Sequence, residues 1–175
     1  MNTRNRKLAY SALFLAIALV LPFLTGQIPQ IGQALSPMHI PVLLCGFVCG
    51  PAWGAAVGAI APILRSLLFA MPAMYPGAIA MTFELATYGA LSGLLYRALP
   101  RRPWAVYASL LLAMVGGRLV WGAARFVLAG LAGSEFPFSA FLAGAVLNAV
   151  PGIILHIVLI PVLVLVLERA KLTLD

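Results

Sequence analysis

The chain has 175 residues, of which 63% are hydrophobic and 9% charged, and its mean hydropathy is +1.08. A soluble domain carries about 25% charged residues, so a surface built from this composition faces lipid and not water. The net charge of +7 does not indicate a nucleic-acid partner, because the basic residues form no stripe and mostly flank apolar runs.

A membrane helix needs about 20 apolar residues, so the length holds roughly six or seven with tight loops. Nothing is left over for a globular domain, and no polar linker divides the chain. We expect one domain over residues 1–175. A transmembrane barrel would alternate with period two; runs such as 157–167 are continuously apolar and read as helix. The fold expected is an all-α integral membrane bundle of six transmembrane helices.

The first helix is predicted over 7–24, after Arg4, Arg6 and Lys7. It resembles a signal peptide, but no small-residue cleavage pattern closes it, so it is kept as a span. A polar, uncharged loop follows over 25–38, with Gln27, Gln30 and Gln33. The stretch from His39 to Met71 is too long for one straight span. It divides at Gly50-Pro51, since proline favours a helix start, giving helix two over 39–50 and helix three over 51–71. Pro72, Pro76 and Gly77 make a turn, and helix four covers 77–99. A basic loop of Arg101 and Arg102 leads to helix five over 104–131. Glu135 and Pro137 mark the next loop. Helix six covers 138–167, with kinks expected at Pro151 and Pro161.

Charge placement supports this division. With six helices, both termini and the 97–103 loop share one side. They carry Arg4, Arg6, Lys7, Arg97, Arg101, Arg102, Arg169 and Lys171, eight of the eleven basic residues. The positive-inside rule then puts both termini in the cytoplasm of a multi-pass protein of the cell membrane.

Three arginines, Arg65, Arg118 and Arg125, and one acid, Glu84, fall inside predicted spans. Such charge costs roughly 2.5–3.5 kcal/mol per residue at mid-membrane and persists where it pairs or lines a cavity. Arg118 and Arg125 are seven apart and share a helix face, with Trp121 between them. Glu84 can neutralise one arginine. The remaining positive charge suits a bound anion, held bidentately by a guanidinium, and Arg118 is the arginine expected to meet it. The bland alternative is snorkelling to headgroups or tying helices together. Asn148 and His156 are the main polar residues of helix six, with Asn148 preferred as site-lining. His39 and Gln33 border the outer loop, where His39 could gate entry or cap a helix. Gly46, Gly50, Gly54 and Gly58 recur every four residues, and Ala12 and Ala16 form a small pair in helix one; both patterns let helices approach closely.

The sequence holds no phosphate-binding loop and no hydrolase motif, so no catalytic residue and no enzymatic activity is expected. Cys45 and Cys49 cannot form a structural zinc site alone and read as packing residues. The histidines lack a carboxylate cluster, so neither a metal nor a cofactor is expected.

The arrangement resembles the substrate-binding S-component of an energy-coupling factor (ECF) vitamin transporter. The similarity is carried by His39-Ile-Pro-Val-Leu through Gly46, Gly50-Pro51, Trp53-Gly54 and Gly58, then by Ala80-Met81, Phe83-Glu84-Leu85 and Tyr88-Gly89. The resemblance implies high-affinity capture of a vitamin or related micronutrient from outside, followed by ATP-driven release inside. It implies partnership with a transmembrane coupling protein and two cytoplasmic ATPases. Ala12 and Ala16 would face the coupling protein, and the 25–38 loop would cover the site. The basic excess suits an acid such as pantothenate. A solute site of His39, Gln33, Glu84, Arg118, Trp121, Arg125 and Asn148 is expected. Two other classes fit the same bundle: a self-sufficient secondary transporter, with Glu84 as its coupling carboxylate, or a membrane assembly protein whose charges pair only with one another.

Overall fold

The computed structural model describes residues 2–25, 28–100 and 102–174. The chain is all-helical, with no strand among the described residues. Among the described residues eight α-helices follow in order: α1 Thr3–Val20, α2 Pro29–Leu35, α3 His39–Cys49, α4 Pro51–Phe69, α5 Ile79–Ala98, α6 Pro103–Leu131, α7 Phe138–Ala145 and α8 Val150–Arg169. Among the described residues five segments are long and apolar enough to cross a membrane: Thr3–Leu24, Pro51–Phe69, Met74–Ala98, Pro103–Leu131 and Phe138–Arg169.

The expected count of six full spans is met only in part. The sixth apolar helix, α3, has eleven residues, about 16 Å at 1.5 Å per residue, which is half a bilayer core. All eleven are buried. This helix is an inner core element, wrapped by α1, α4, α5 and α8, so its side chains never face lipid. Its first residue, His39, therefore starts deep within the protein.

Glycines decide how closely the surrounding helices approach. Gly50 takes φ +100°, a conformation open to glycine, and turns the chain from α3 into α4, where Pro51 occupies the first turn. A Cβ on Gly54 would meet the Gly89 carbonyl oxygen at 2.5 Å and the Gly46 backbone at 2.7 Å. The four-residue glycine row thus brings α3, α4 and α5 into backbone contact.

The carboxyl ends of α3, α5 and α8 share one end of the bundle. Arg97 donates to the Cys49 carbonyl at 3.5 Å, and the Leu174 amide donates to the Val48 carbonyl at 2.8 Å. Arg97 and Arg169 lie at that end, in the last turns of α5 and α8.

Two sequence expectations change. The outer loop contains a helix, α2, started by Pro29 and ended by Ser36 in the left-handed region. The last span is interrupted before either proline. It breaks at Val146, whose φ of −123° and ψ of −67° are non-helical, and passes through a 3-10 turn, Leu147–Ala149, into α8. Pro151 falls in the first turn of α8, where a missing N–H costs nothing, and Pro161 lies inside α8 without ending it.

Candidate functional site

Glu84 sits in the second turn of α5 and is 1% exposed. Three helices bring polar groups to its Oε1. Tyr88, one turn further along α5, donates its hydroxyl at 3.1 Å. Arg118 on α6 places Nη1 at 2.9 Å. His39, at the head of α3, brings Nε2 to 3.4 Å, close but outside hydrogen-bond alignment, since both of its ring nitrogens lack a bonded partner. Glu84 Oε2 is also without one.

His156 on α8 completes the cluster. It is buried, its ring lies stacked on His39 with centroids 6.0 Å apart, and it is hydrogen-bonded to the backbone of Ser36. Its Nε2 has no partner. Tyr88 packs its ring beside His39 at 5.1 Å and lies directly on Gly117, where a Cβ would stand 2.3 Å from Cε1. The absent side chain at 117 lets Arg118, its neighbour, reach Glu84.

Helix α2 lies over α8 beside this cluster. A Cβ on Gly152 would meet the Ala34 carbonyl oxygen at 2.5 Å, so α2 rests on the α8 backbone. Gln33 belongs to α2, and its side chain lies outside the described residues.

Arg125 occupies a second position, two turns along α6 from Arg118. Its guanidinium lies over the rings of Trp121 at 6.0 Å and Phe136 at 5.3 Å, an arrangement that favours a cation. Its Nε is buried without a hydrogen-bond partner. The residue borders a cleft of about 150 Å³ with Tyr75, Ser134, Glu135 and Phe136. Trp121 is held by Phe136 edge-on and by Phe141 in a stack at 6.3 Å.

Of the residues singled out in the sequence, the structure brings Glu84, Arg118 and His39 together and places Trp121 and Arg125 on the same face of α6. Asn148 is not with them. It is exposed in the 3-10 turn, because the break at Val146 removes the helical phase that would have aligned it with His156. Arg65 is elsewhere too: buried in α4, it donates to the Leu19 carbonyl and lies against the rings of Phe23 and Phe69, which meet edge-on, tying α1 to α4. Tyr88 was not anticipated, although its place four residues after Glu84 put it on the same helix face. Ala12 and Ala16 are exposed on α1. Among the described residues no group of three or more His, Cys, Asp or Glu could hold a metal ion.

A buried carboxylate, an arginine and two imidazoles thus meet between α3, α5, α6 and α8, and Glu84 Oε2, both ring nitrogens of His39 and Nε2 of His156 have no hydrogen-bond partner. Residues 6–164 match the family described as ECF transporter, substrate-specific component. The chain belongs to this family. Comparison with curated proteins and with solved structures found no match. An ECF substrate-specific component is a substrate-binding transport subunit and not an enzyme. Family membership also implies partnership with an ECF module of coupling protein and ATPases, and together with the apolar helices it indicates a multi-pass membrane protein.

Proposed function

We propose that this ECF substrate-specific component captures a vitamin-like, acidic micronutrient at the Glu84 cluster and hands it to the ATP-driven module. One observation carries this reading: Glu84 Oε2, both nitrogens of His39 and Nε2 of His156 are buried without hydrogen-bond partners. An unmet buried polar group costs about 1–3 kcal/mol, and lipid supplies no water to meet it. A solute that fills these positions removes that cost, so the site favours a polar ligand before any has arrived.

In this reading the solute lies beneath α2, among His39, Glu84, Arg118, Trp121 and Arg125, with Gln33 above it. The termini and the 97–103 loop are cytoplasmic, and α2 with α3 forms the remaining crossing. Ala12 and Ala16 meet the coupling protein. Native mass spectrometry of the chain purified from cells tests the reading. A small acid is expected to copurify and to be lost in Glu84→Gln. Import into vesicles should require the coupling protein and both ATPases. Import by the chain alone would instead establish a secondary transporter.

A further inference from the structure

The inner helix α3 ends in a buried position: Val48 and Cys49 are each 1% exposed. The last carbonyls of a helix have no partner within it, so those of Val48 and Cys49 must be met from elsewhere. The Arg97 guanidinium meets the Cys49 carbonyl at 3.5 Å, and the Leu174 amide meets the Val48 carbonyl at 2.8 Å. The second donor comes from no helix. Past α8 the chain turns at Lys171, which takes φ +56°. The Lys171 and Leu172 amides close the turn by donating to the Glu168 and Leu167 carbonyls at 2.9 and 3.0 Å. The chain then comes back onto α3: Lys171 is exposed, Leu172 and Thr173 are half-buried, and Leu174 is buried at 4% exposure. A residue other than glycine stays in the left-handed region where surrounding contacts hold it, and the seat of Leu174 on α3 is such a contact.

We propose that residues 171–174 form a strap that closes this end of α3, and that the strap opens when α3 moves during the transport cycle; only the second half rests on the function proposed above. The reason is one of scale. Helices α4, α5 and α6 pack broadly on one another, whereas the strap grips α3 through a backbone bond and one apolar side chain. A contact of that size opens far more readily than the bundle unfolds. It is also well placed to act at a distance. Helix α3 is a single short rod with His39 at its head, so a shift at its tail reaches the imidazole beside Glu84.

The two cysteines of the chain are native reporters. Cys49 is the last residue of α3, and Cys45 lies one turn further in. Each is kept alone, in Cys45→Ala or Cys49→Ala, and its labelling by a water-soluble maleimide is timed on the full chain in lipid nanodiscs. Leu174→Asp should speed Cys49 labelling by about tenfold or more, because a buried apolar anchor is replaced by a charge that must stay in water. Cys45 labelling should stay within about twofold. Leu174→Met, apolar and of similar volume, should label at nearly the rate of the unaltered strap. Unchanged Cys49 labelling in Leu174→Asp shows that the segment covers nothing and overturns the strap. Equal acceleration at both cysteines, or in Leu174→Met as in Leu174→Asp, overturns it too. In the complex with the coupling protein and both ATPases, ATP should accelerate Cys49 labelling over a non-hydrolysable analogue, and equal rates overturn the opening step. The transporter-subunit reading fails separately: it falls only if no solute copurifies and no ATP-dependent import occurs with the partner chains present.

Discussion

Arg118 Nη1 and Glu84 Oε1, 2.9 Å apart, join α6 to α5 with an ion pair whose carboxylate is 1% exposed and whose guanidinium is 18% exposed. The unequal burial matters. The carboxylate is fixed by the fold, whereas the arginine retains access to the space above it. Removing one partner of a buried pair leaves the other uncompensated, at about 3–5 kcal/mol. Arg118→Ala and Glu84→Gln should each lower the thermal midpoint in detergent, and the double variant Glu84→Gln/Arg118→Ala should lose much less than the sum. Strictly additive losses would show that the two groups do not interact. Solute affinity should fall by about 2–5 kcal/mol in Arg118→Ala, and Arg118→Lys should recover only part of it because the planar fork is lost.

The contact between α4 and α5 gives a second test. A Cβ on Gly89 would stand 2.2 Å from the Gly54 carbonyl carbon, which belongs to rigid helix backbone. Gly89→Ala must push the helices apart, and such overpacking costs about 1–3 kcal/mol or more. Gly130, in the last turn of α6, has nothing within 4 Å of its Cβ position. Gly130→Ala should be neutral or stabilising by up to about 1 kcal/mol from helix propensity. Detergent melting curves of the two variants measure the contrast, and equal shifts would mean that the close approach is not limiting.

The same glycines show what the sequence makes legible. Their four-residue spacing announces close packing because the helical period is local. Pro51 marks a helix start for the same reason, and the boundaries expected for the third, fourth and fifth spans agree with the structure to within a few residues. The charges of Glu84 and Arg118 were conspicuous against an apolar background. What remained hidden depends on phase and on contacts between distant segments. Asn148 reads as the better candidate of the two until the helix breaks at Val146, and only His156 then keeps its place at the cluster. Arg65 reads as an unpaired charge because Phe23, which covers it, lies more than forty residues away in the chain. The short helix α2 starts at Pro29, but its seven residues carry too little periodicity to outweigh a loop reading.

Ala12 and Ala16 lie on the exposed side of α1, where small side chains permit another helix to approach. If they form the docking face for the coupling protein, Ala16→Trp should abolish ATP-driven uptake by the assembled transporter while solute binding by the isolated chain stays unchanged. The two measurements separate docking from the solute site. Intact transport by Ala16→Trp would remove this face from the mechanism, and lost binding would place the residue in the fold of the site instead.

If α2 covers the solute, its seat on α8 governs how the solute leaves. Gly152 lies at the start of α8, and its missing side chain lets the Ala34 and Leu35 backbone come down onto that helix: an added Cβ would be 2.5 Å from one carbonyl oxygen and 3.1 Å from the other. Next to this contact, the Ser36 backbone is bonded to His156, so α2 and the cluster are held in register. Gly152→Leu must lift α2, because a backbone carbonyl cannot rotate away as a flexible side chain could. The cost of such overpacking is about 1–3 kcal/mol, or roughly a five- to 150-fold change in an equilibrium constant at 1.4 kcal/mol per decade. It should fall on the covered state alone, since the contact is absent once α2 has moved aside. Solute dissociation should therefore accelerate by a factor in that range. The association rate should change little, and the melting temperature without solute should drop only slightly. Stopped-flow release of a bound acid from the nanodisc-embedded variant measures the first effect. A dissociation rate equal to that of the wild type would show that α2 does not retain the solute.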